Sequence, residues 1–150
     1  MTDAILLMLG TGVLWALVGV VFGSAPSDLL FEDCTIRTKD DAPFLRLGGY
    51  TVGKIGFDGC TVSGKQGLVD VKDLRRILLP PNATPETSPD NRPGTVLFRR
   101  TKWESEAKTV LTHVKDENPS PKRITIVDQD NAWPEGVAVA TDLPPTWEVK

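Results

Sequence analysis

The hydrophobic residues of the chain are most concentrated near its amino terminus, where residues 4–23 contain no charged side chain. An α-helix rises about 1.5 Å per residue, so this run would cover about 30 Å, the thickness of a bilayer's hydrocarbon core. A cleaved signal peptide is disfavoured, because no lysine or arginine precedes the run. The pattern predicts a transmembrane anchor at residues 1–24 and a soluble domain at residues 25–150.

Small residues lie along one side of this predicted helix. At about 100° per residue, Gly12, Ala16, Gly19 and Gly23 fall in one narrow sector. Small side chains let a second helix approach closely, and such packing drives helix association in lipid. We therefore expect this helix-packing interface to bind other transmembrane subunits, with membrane lipid as the anchor's remaining partner.

Four short strands are predicted after the anchor. They are rich in β-branched and aromatic residues and are separated by prolines and glycines. Their ranges are 29–36, 44–47, 50–55 and 57–62.

A short sequence recurs within these strands. FEDCTI at residues 31–36 is echoed as FDGCTV at residues 57–62. Two copies fit neighbouring turns of a β-helical stack, but such stacks usually contain at least three, so we favour adjacent strands or coincidence. Cys34 and Cys60 occupy equivalent places in the echo. They would form a disulfide in an exported domain and would remain buried thiols in the cytoplasm.

A proline-rich segment divides the domain. Residues 80–94 contain five prolines and few apolar side chains, which predicts a long exposed loop. Before the loop, residues 69–79 carry Val71, Leu74 and Leu78 at helical spacing. This spacing predicts a short helix that ends at the first proline.

The pattern after the loop predicts a strand, a helix and two further strands. The strands are residues 95–100, 123–127 and 136–141. Thr101 and Glu104 match a capping box, and an apolar stripe follows on the predicted helix, formed by Trp103, Ala107, Val110, Leu111 and Val114. Strand, helix and strand in this order favour two parallel neighbouring strands. The predicted fold class is therefore α+β.

Charge and composition narrow the range of functions. The net charge is −3, and lysines and arginines are scattered among acids, which argues against nucleic acid as a partner. Two cysteines and one histidine are too few for a zinc site, and their spacing lacks the signature of a cysteine nucleophile. The segment from Asp128 to Asn131 lacks the later ligands of a calcium loop. We therefore expect no metal, no cofactor and no catalytic residue.

Charges near the predicted anchor leave its orientation open. Arg37 and Lys39 follow the span, which favours a cytoplasmic domain. Asp28, Glu32 and Asp33 lie closer to the span and argue for export. We expect a single-pass protein of the bacterial inner membrane, with the periplasmic side favoured.

The order of elements resembles the ExbD/TolR family of biopolymer-transport subunits over nearly the whole chain. The similarity is carried by an acidic residue, Asp3, at the start of a single span, and by DLRRIL at 73–78, TVLFRR at 95–100 and ITIVD at 124–128. The resemblance implies a periplasmic domain and a membrane aspartate that carries protons between the anchor and a pentamer of partner helices. Asp3 is the matching residue, although no tail precedes it and the glycine-rich span and proline-rich loop depart from the family pattern.

These observations together predict a non-catalytic structural or accessory subunit of a larger membrane complex. Two alternatives remain open. One is a membrane-tethered domain that binds a soluble partner by itself, through its proline-rich loop or through Trp133 and Trp147. The other is a proton-coupled transport subunit of the ExbD/TolR type.

Overall fold

The structure, a computed structural model, describes residues 13–15, 27–48, 52–72, 92–115 and 122–150. Within these ranges the chain forms thirteen β-strands and no helix. The strands are β1 (Val13–Trp15), β2 (Ser27–Glu32), β3 (Thr35–Arg37), β4 (Leu45–Gly48), β5 (Val52–Asp58), β6 (Thr61–Gly64), β7 (Val69–Lys72), β8 (Gly94–Arg99), β9 (Lys102–Ser105), β10 (Thr109–Val114), β11 (Ile124–Gln129), β12 (Ala138–Thr141) and β13 (Trp147–Val149).

The strands lie in three sheets, which we call faces 1, 2 and 3. Face 1 has the order β13-β11-β8-β5-β2, face 2 the order β1-β3-β6-β9, and face 3 the order β12-β10-β7-β4. Neighbouring strands in every face are parallel. From β2 to β10 the chain visits faces 1, 2 and 3 in turn and then returns to face 1 beside its previous strand; after β11 the next described strand, β12, lies in face 3. Successive coils therefore stack as a parallel β-solenoid. We number coils 1 to 4 by their face-1 strands β2, β5, β8 and β11; β13 begins a fifth.

Each coil turns from face 1 to face 2 at the same kind of corner. One residue there adopts a positive φ, between 50° and 67°, where the chain turns out of face 1. Its N–H bonds to the next coil where one is present, as in the 2.8 Å bond from Asp33 N to Asp58 O. The four corner residues are Asp33, Gly59, Arg100 and Asp130.

The interior is filled by columns of like side chains, one from each coil. Phe57 stacks on Phe31 with 5.0 Å between ring centroids and on Phe98 with 5.7 Å, and the rings are nearly parallel. Beside them, Val62 aligns with Ile36 and with Trp103. All these side chains are buried, because inward positions alternate with outward ones along each strand.

The sequence echo is a true repeat of this solenoid. Phe31 aligns with Phe57 and Thr35 with Thr61 in the parallel registers of faces 1 and 2. The interpretation that we disfavoured from the sequence, neighbouring turns of a β-helical stack, is therefore correct. A third copy begins at Phe98, but the residues between coils 2 and 3 place it 41 positions after Phe57.

The predicted α+β fold class is wrong in the described part of the chain, which is entirely β. The expected helix after residue 100 is instead strands β9 and β10, separated by a corner. Trp103 points inward from face 2, whereas Val110 and Leu111 are buried at face 3. The apolar residues of β9, β10 and the corner between them happen to have the sequence spacing of one side of a helix.

The short helix predicted at residues 69–79 is also wrong where the structure describes it. Residues 69–72 form β7, with Val69 and Val71 buried and Asp70 and Lys72 on the outside. This alternation is the period of a strand, and three apolar residues were too few to distinguish it from a helix. Residues 73–91, which include most of the proline-rich loop predicted at 80–94, lie outside the described ranges.

The predicted transmembrane helix and the inner-membrane location that followed from it are contradicted. Val13–Trp15, in the middle of the predicted span, forms β1 and pairs in parallel with Thr35–Arg37. Among the described residues, no helix is long and apolar enough to cross a membrane. A run of apolar residues does not by itself distinguish a membrane-spanning helix from strands of a folded domain, which is why the prediction was wrong. Residues 1–12 and 16–26 are outside the described ranges.

The strand predictions are more accurate. Residues 95–100 and 123–127 correspond to β8 and β11, and these strands are parallel neighbours as expected. Residues 136–141 contain β12, whereas residues 29–36 divide at a corner into β2 and β3. The sequence predicted the pairing of β8 with β11 correctly and their connection wrongly, because two strands and a corner replace the helix.

Candidate functional site

The outer side of face 1 carries an apolar column between two polar ones. Leu30, Gly56, Leu97 and Val127 align across four coils, one residue from each strand. Alternation along the strands points these residues away from the core. The two leucines are partly exposed, and they are not among the residues of the buried core. We call this column, with its polar borders, the face-1 groove.

A groove of about 360 Å³ lies on this column. It exists because Gly56 has no side chain: a Cβ placed there would lie 2.9 Å from Leu30 Cδ1. The surrounding residues are Asp28, Leu29, Leu30, Lys54, Ile55, Gly56, Thr95 and Leu97. An apolar depression with a few polar groups at its rim is the usual form of a binding site.

One border of the groove is polar but only lightly charged. Asp28, Lys54 and Thr95 occupy the outward positions beside the leucines, and all three line the groove. The Asp28 carboxylate accepts a 2.9 Å hydrogen bond from the backbone N–H of Lys54. This bond joins coils 1 and 2, and it leaves the ammonium group of Lys54 on the exposed surface.

The other outward column of face 1 contains a buried acid between two arginines. Asp58 is only 2 % exposed. One of its carboxylate oxygens accepts hydrogen bonds from Nε and a terminal nitrogen of Arg99; the other contacts Arg100 through Nε at 2.8 Å and a terminal nitrogen at 2.7 Å. Each guanidinium group therefore binds one of the two carboxylate oxygens through two of its nitrogens, and each contact is charge-assisted.

The local electrostatics stabilise the ionised form of this acid. Hydrogen bonding from Arg99 holds the pKa of Asp58 below its ordinary value, with Arg100 adding to the effect against the opposing influence of burial. The same contact raises the pKa of Arg99. An acid with a lowered pKa and two bound cations is a poor proton donor or acceptor near neutral pH. The cluster thus links coil 2 to coil 3 through side-chain ion pairs.

A second groove lies on the outside of face 3, with a volume of about 440 Å³. Asp70 and Arg46 are adjacent in the register of β7 and β4, and Lys72 lines the same depression. Burial raises the pKa of Asp70, and the charge of Arg46 partly opposes that rise. Among the described residues that line this groove, Asp70 is the one that carries a carboxyl group.

The two cysteines lie at the corner between faces 1 and 2, in adjacent coils. Both side chains are buried. The Cys60 sulfur is 3.3 Å from Phe31 O, and burial raises the pKa of Cys60 to about 11. Burial also raises the pKa of Cys34. A nucleophilic cysteine requires the opposite shift, so these thiols are not activated. The disulfide considered from the sequence stays a prediction, and the structure places its two residues side by side.

The tryptophans considered for partner binding mainly serve the fold. Trp133 packs edge-on against Phe98 and Trp103, and its indole N–H donates to both carboxylate oxygens of Asp128 at 3.0 Å. Trp147 is buried against His113, with 4.8 Å between ring centroids. Covering the core, the more common role of such residues, is the one they perform.

The other predicted site residues cannot be placed. Gly12, Ala16, Gly19, Gly23 and Asp3 lie outside the described ranges. Within those ranges no group of three or more potential ligands could hold a metal ion.

Sequence reasoning missed the face-1 groove and the Asp58 cluster. A signal for the cluster was present, because the third copy of the echo reads Phe98-Arg99-Arg100 where the second reads Phe57-Asp58-Gly59. Aligning these copies would have placed the acid beside both arginines.

The fold defines the class of the protein as a parallel β-solenoid with an apolar groove on one face. Comparison with protein-family models, with curated proteins and with solved structures finds no match. None of these comparisons bears on the ExbD/TolR resemblance, which stays a prediction.

Proposed function

We propose that this chain is a non-catalytic structural subunit of a larger protein assembly, and that it binds a partner polypeptide through the face-1 groove. The observation that carries the proposal is the column of outward Leu30 and Leu97 around Gly56. Solenoid faces are flat and extended, which suits them to binding a length of chain. The proposal retains the subunit role expected from the sequence without the transmembrane anchor.

The chemistry of the groove defines the kind of partner. Its floor offers apolar contacts, and its border carries the charged residues Asp28 and Lys54. A peptide segment that carries apolar side chains between charged ones would match both the apolar floor and the charged border. Covering the exposed part of one leucine contributes on the order of 1 kcal/mol, so both leucines are needed for useful affinity.

Two features support a non-catalytic role. The buried acid of the site, Asp58, has a lowered pKa and is neutralised by two arginines. The thiols of Cys34 and Cys60 have raised pKa values. Groups with these properties suit structural roles better than proton transfer or nucleophilic attack.

Site-specific photo-crosslinking tests the proposal. A benzoylphenylalanine introduced at Leu97 should give a discrete higher-mass adduct in cells of the natural source. The same residue at Thr112, an exposed position on face 3, provides the matched control and should give none. A second variant, Leu30→Lys, should remove the adduct at position 97 because it places a charge on the groove floor. Circular dichroism verifies that each variant is folded.

The proposal fails if folded protein with the crosslinker at position 97 gives no adduct, or gives the same products as position 112. It also fails if Leu30→Lys leaves the adduct unchanged.

A further inference from the structure

The groove on face 3, which we call the face-3 groove, is lined by residues from three successive coils. These residues belong to β4, β7 and β10, which are neighbours in that sheet. Adjacent strands are about 4.8 Å apart, so three of them span about 10 Å along the solenoid. The volume of about 440 Å³ is in the range of sites that bind small organic molecules.

Two oppositely charged residues in this groove are adjacent without contacting each other. Arg46 aligns with Asp70 in the register of β4 and β7, and alternation along both strands directs their side chains outward. Neither forms a hydrogen bond or an ion pair with another residue of the described chain. Asp58 and Arg99 have the same relation on face 1, and those two form a direct ion pair. The space between Arg46 and Asp70 is therefore available to a third group.

The carboxyl group of Asp70 calls for a hydrogen-bond donor. Its side chain is half-buried, and burial raises its pKa, with the charge of Arg46 opposing that rise. Burying a carboxylate is unfavourable unless its oxygens accept hydrogen bonds. A hydroxyl group of a bound molecule would donate such a bond. An ammonium group suits the groove less well, because Arg46 and Lys72 would repel it.

The guanidinium group of Arg46 defines the other end of the ligand. It is exposed, and its paired N–H donors match the two oxygens of a carboxylate. A phosphate dianion is attracted to Arg46 as well, but it is repelled more strongly by Asp70 on the neighbouring strand. The single charge of a carboxylate is therefore favoured.

The ligand's carbon atoms would meet an apolar surface in the next outward row. Gly48, Lys72 and Val114 form this row in the register of the three strands. Gly48 has no side chain, and Val114 is 37 % exposed. A ring or a short carbon chain beside Arg46 and Asp70 would therefore cover Val114 and the apolar stem of Lys72.

We propose that the face-3 groove binds a small hydroxylated carboxylate of the sugar-acid class, with its carboxylate on Arg46 and a hydroxyl group on Asp70. The inference is independent of partner binding through the face-1 groove, because the two grooves lie on different faces and share no lining residue. A bound small molecule adds no polypeptide, so the crosslinking control at Thr112 is unchanged.

Ligands that differ in one kind of group test the proposal on the unmodified chain. The probes are glucuronate and gluconate, and binding is followed by NMR titration. At least one of these sugar acids should give a saturable shift of the side-chain Nε–H signal of Arg46 and of backbone amides in β4 and β7. Glucose, which lacks the carboxylate, should bind about tenfold more weakly. Cyclohexanecarboxylate, which lacks the hydroxyl groups, should also bind about tenfold more weakly.

Substitutions test the two roles separately. Arg46→Gln should weaken binding of the sugar acid about tenfold, and Arg46→Lys should weaken it less because the charge is kept. Asp70→Ala should abolish the preference for the sugar acid over cyclohexanecarboxylate, since the acceptor for the hydroxyl group is lost. Arg37→Gln, which changes an exposed arginine on face 2, is the matched control and should bind as the unmodified chain does. Circular dichroism verifies that each variant is folded.

The proposal is overturned if neither sugar acid gives a saturable shift at Arg46, or if glucose or cyclohexanecarboxylate binds as tightly as the sugar acid. It is also overturned if Arg37→Gln weakens binding as much as Arg46→Gln does, or if Asp70→Ala keeps the preference for the sugar acid. None of these results changes the crosslinking expected at Leu97, so the two proposals fail separately.

Discussion

Gly64 illustrates how closely successive coils approach at a corner. Its φ is +110°, and a Cβ built on it would lie 2.5 Å from the carbonyl oxygen and 2.9 Å from the nitrogen of Thr38 in the coil below. Backbone atoms at these distances cannot yield as a flexible side chain can. The residue is therefore glycine for two reasons, its backbone conformation and the lack of space.

We expect Gly64→Ala to lower the free energy of unfolding by about 3 kcal/mol, since overpacking and unfavourable φ act together. Gly136→Ala is the matched control, because Gly136 also has a positive φ, of 79°, but a Cβ there meets nothing within 4 Å. That variant should cost about 1 kcal/mol, from the backbone conformation alone. Urea unfolding measures both. Equal losses would show that the contact with Thr38 contributes nothing.

The thiols of Cys34 and Cys60 provide a second prediction at the scale of single residues. With the pKa of Cys60 at about 11, its thiolate fraction at pH 8 is roughly 100-fold lower than that of an ordinary thiol, and burial limits access further. Native protein should therefore react with maleimide much more slowly at Cys60 than unfolded protein does, as followed by mass spectrometry.

The same labelling decides whether the cysteines form a disulfide. Protein that is unfolded without reductant should label at both residues if they are free thiols. Labelling that requires reductant would establish the Cys34–Cys60 bond considered from the sequence. Their positions in adjacent coils make either state geometrically reasonable, because neighbouring parallel strands lie about 4.8 Å apart.

At the scale of the strand, the Asp58 cluster joins coils 2 and 3. Asp58 lies at the end of β5, and its partner Arg99 lies in register with it at the end of β8. Because the pKa of Asp58 is lower in the folded chain than in the unfolded one, its contribution to stability is complete above the unfolded value, about 3.9. That contribution is lost as the pH falls towards the folded value.

We expect Asp58→Asn to destabilise the protein by about 1–3 kcal/mol at neutral pH, since the arginines lose charged hydrogen bonds but their side chains are 41 % and 60 % exposed to solvent. The difference from the unmodified chain should shrink below about pH 4. Asp40→Asn removes the exposed pair with Lys65 and should change stability little at either pH. The prediction is wrong if the two variants show the same pH dependence in urea unfolding.

Strand identity was the best predicted property at this scale. Residues 95–100 alternate inward and outward side chains and contain no strong helix signal, so β8 was recognised. Residues 102–114 were not recognised as β9 and β10, because the corner between these strands brought their apolar residues into helical spacing. Local periodicity cannot distinguish these two strands from a helix, because their conformation depends on contacts with coils 2 and 4.

At the scale of the whole molecule, burial decreases towards the last coil. Core residues of coils 1 to 3 such as Phe57 and Val96 are fully buried, whereas Val139, Leu143 and Val149 of the last two coils are partly exposed. A solenoid is stabilised by contacts between neighbouring coils, so a coil with one neighbour is less stable than one with two.

Hydrogen exchange should therefore vary along the solenoid. We expect amides of β12 and β13 to exchange faster than those of β5 and β8, as measured by mass spectrometry. Uniform exchange across all coils would contradict this view of a graded structure.

The candidate site could be predicted only in part, and for a reason specific to repeats. The echo of Phe31 at Phe57 predicted a pair of aligned coils, but the third copy at Phe98 follows after a longer interval and has Thr101 in place of cysteine. The insertion hid the third repeat, and with it the register that places Asp58 beside Arg99. Without that register, Leu30 and Leu97 were two unrelated strand residues.

The sequence by itself determined where most strands lie, that β8 and β11 are parallel neighbours, and that Cys34 and Cys60 hold equivalent positions. These properties depend on alternation and local repetition, which the chain displays directly. The tertiary structure alone decided that the apolar run near the amino terminus contributes a strand at Val13–Trp15. It also decided that the domain is a solenoid and that face 1 carries a groove. Those outcomes depend on which coil packs against which, and residues distant in sequence meet only once the coils are stacked.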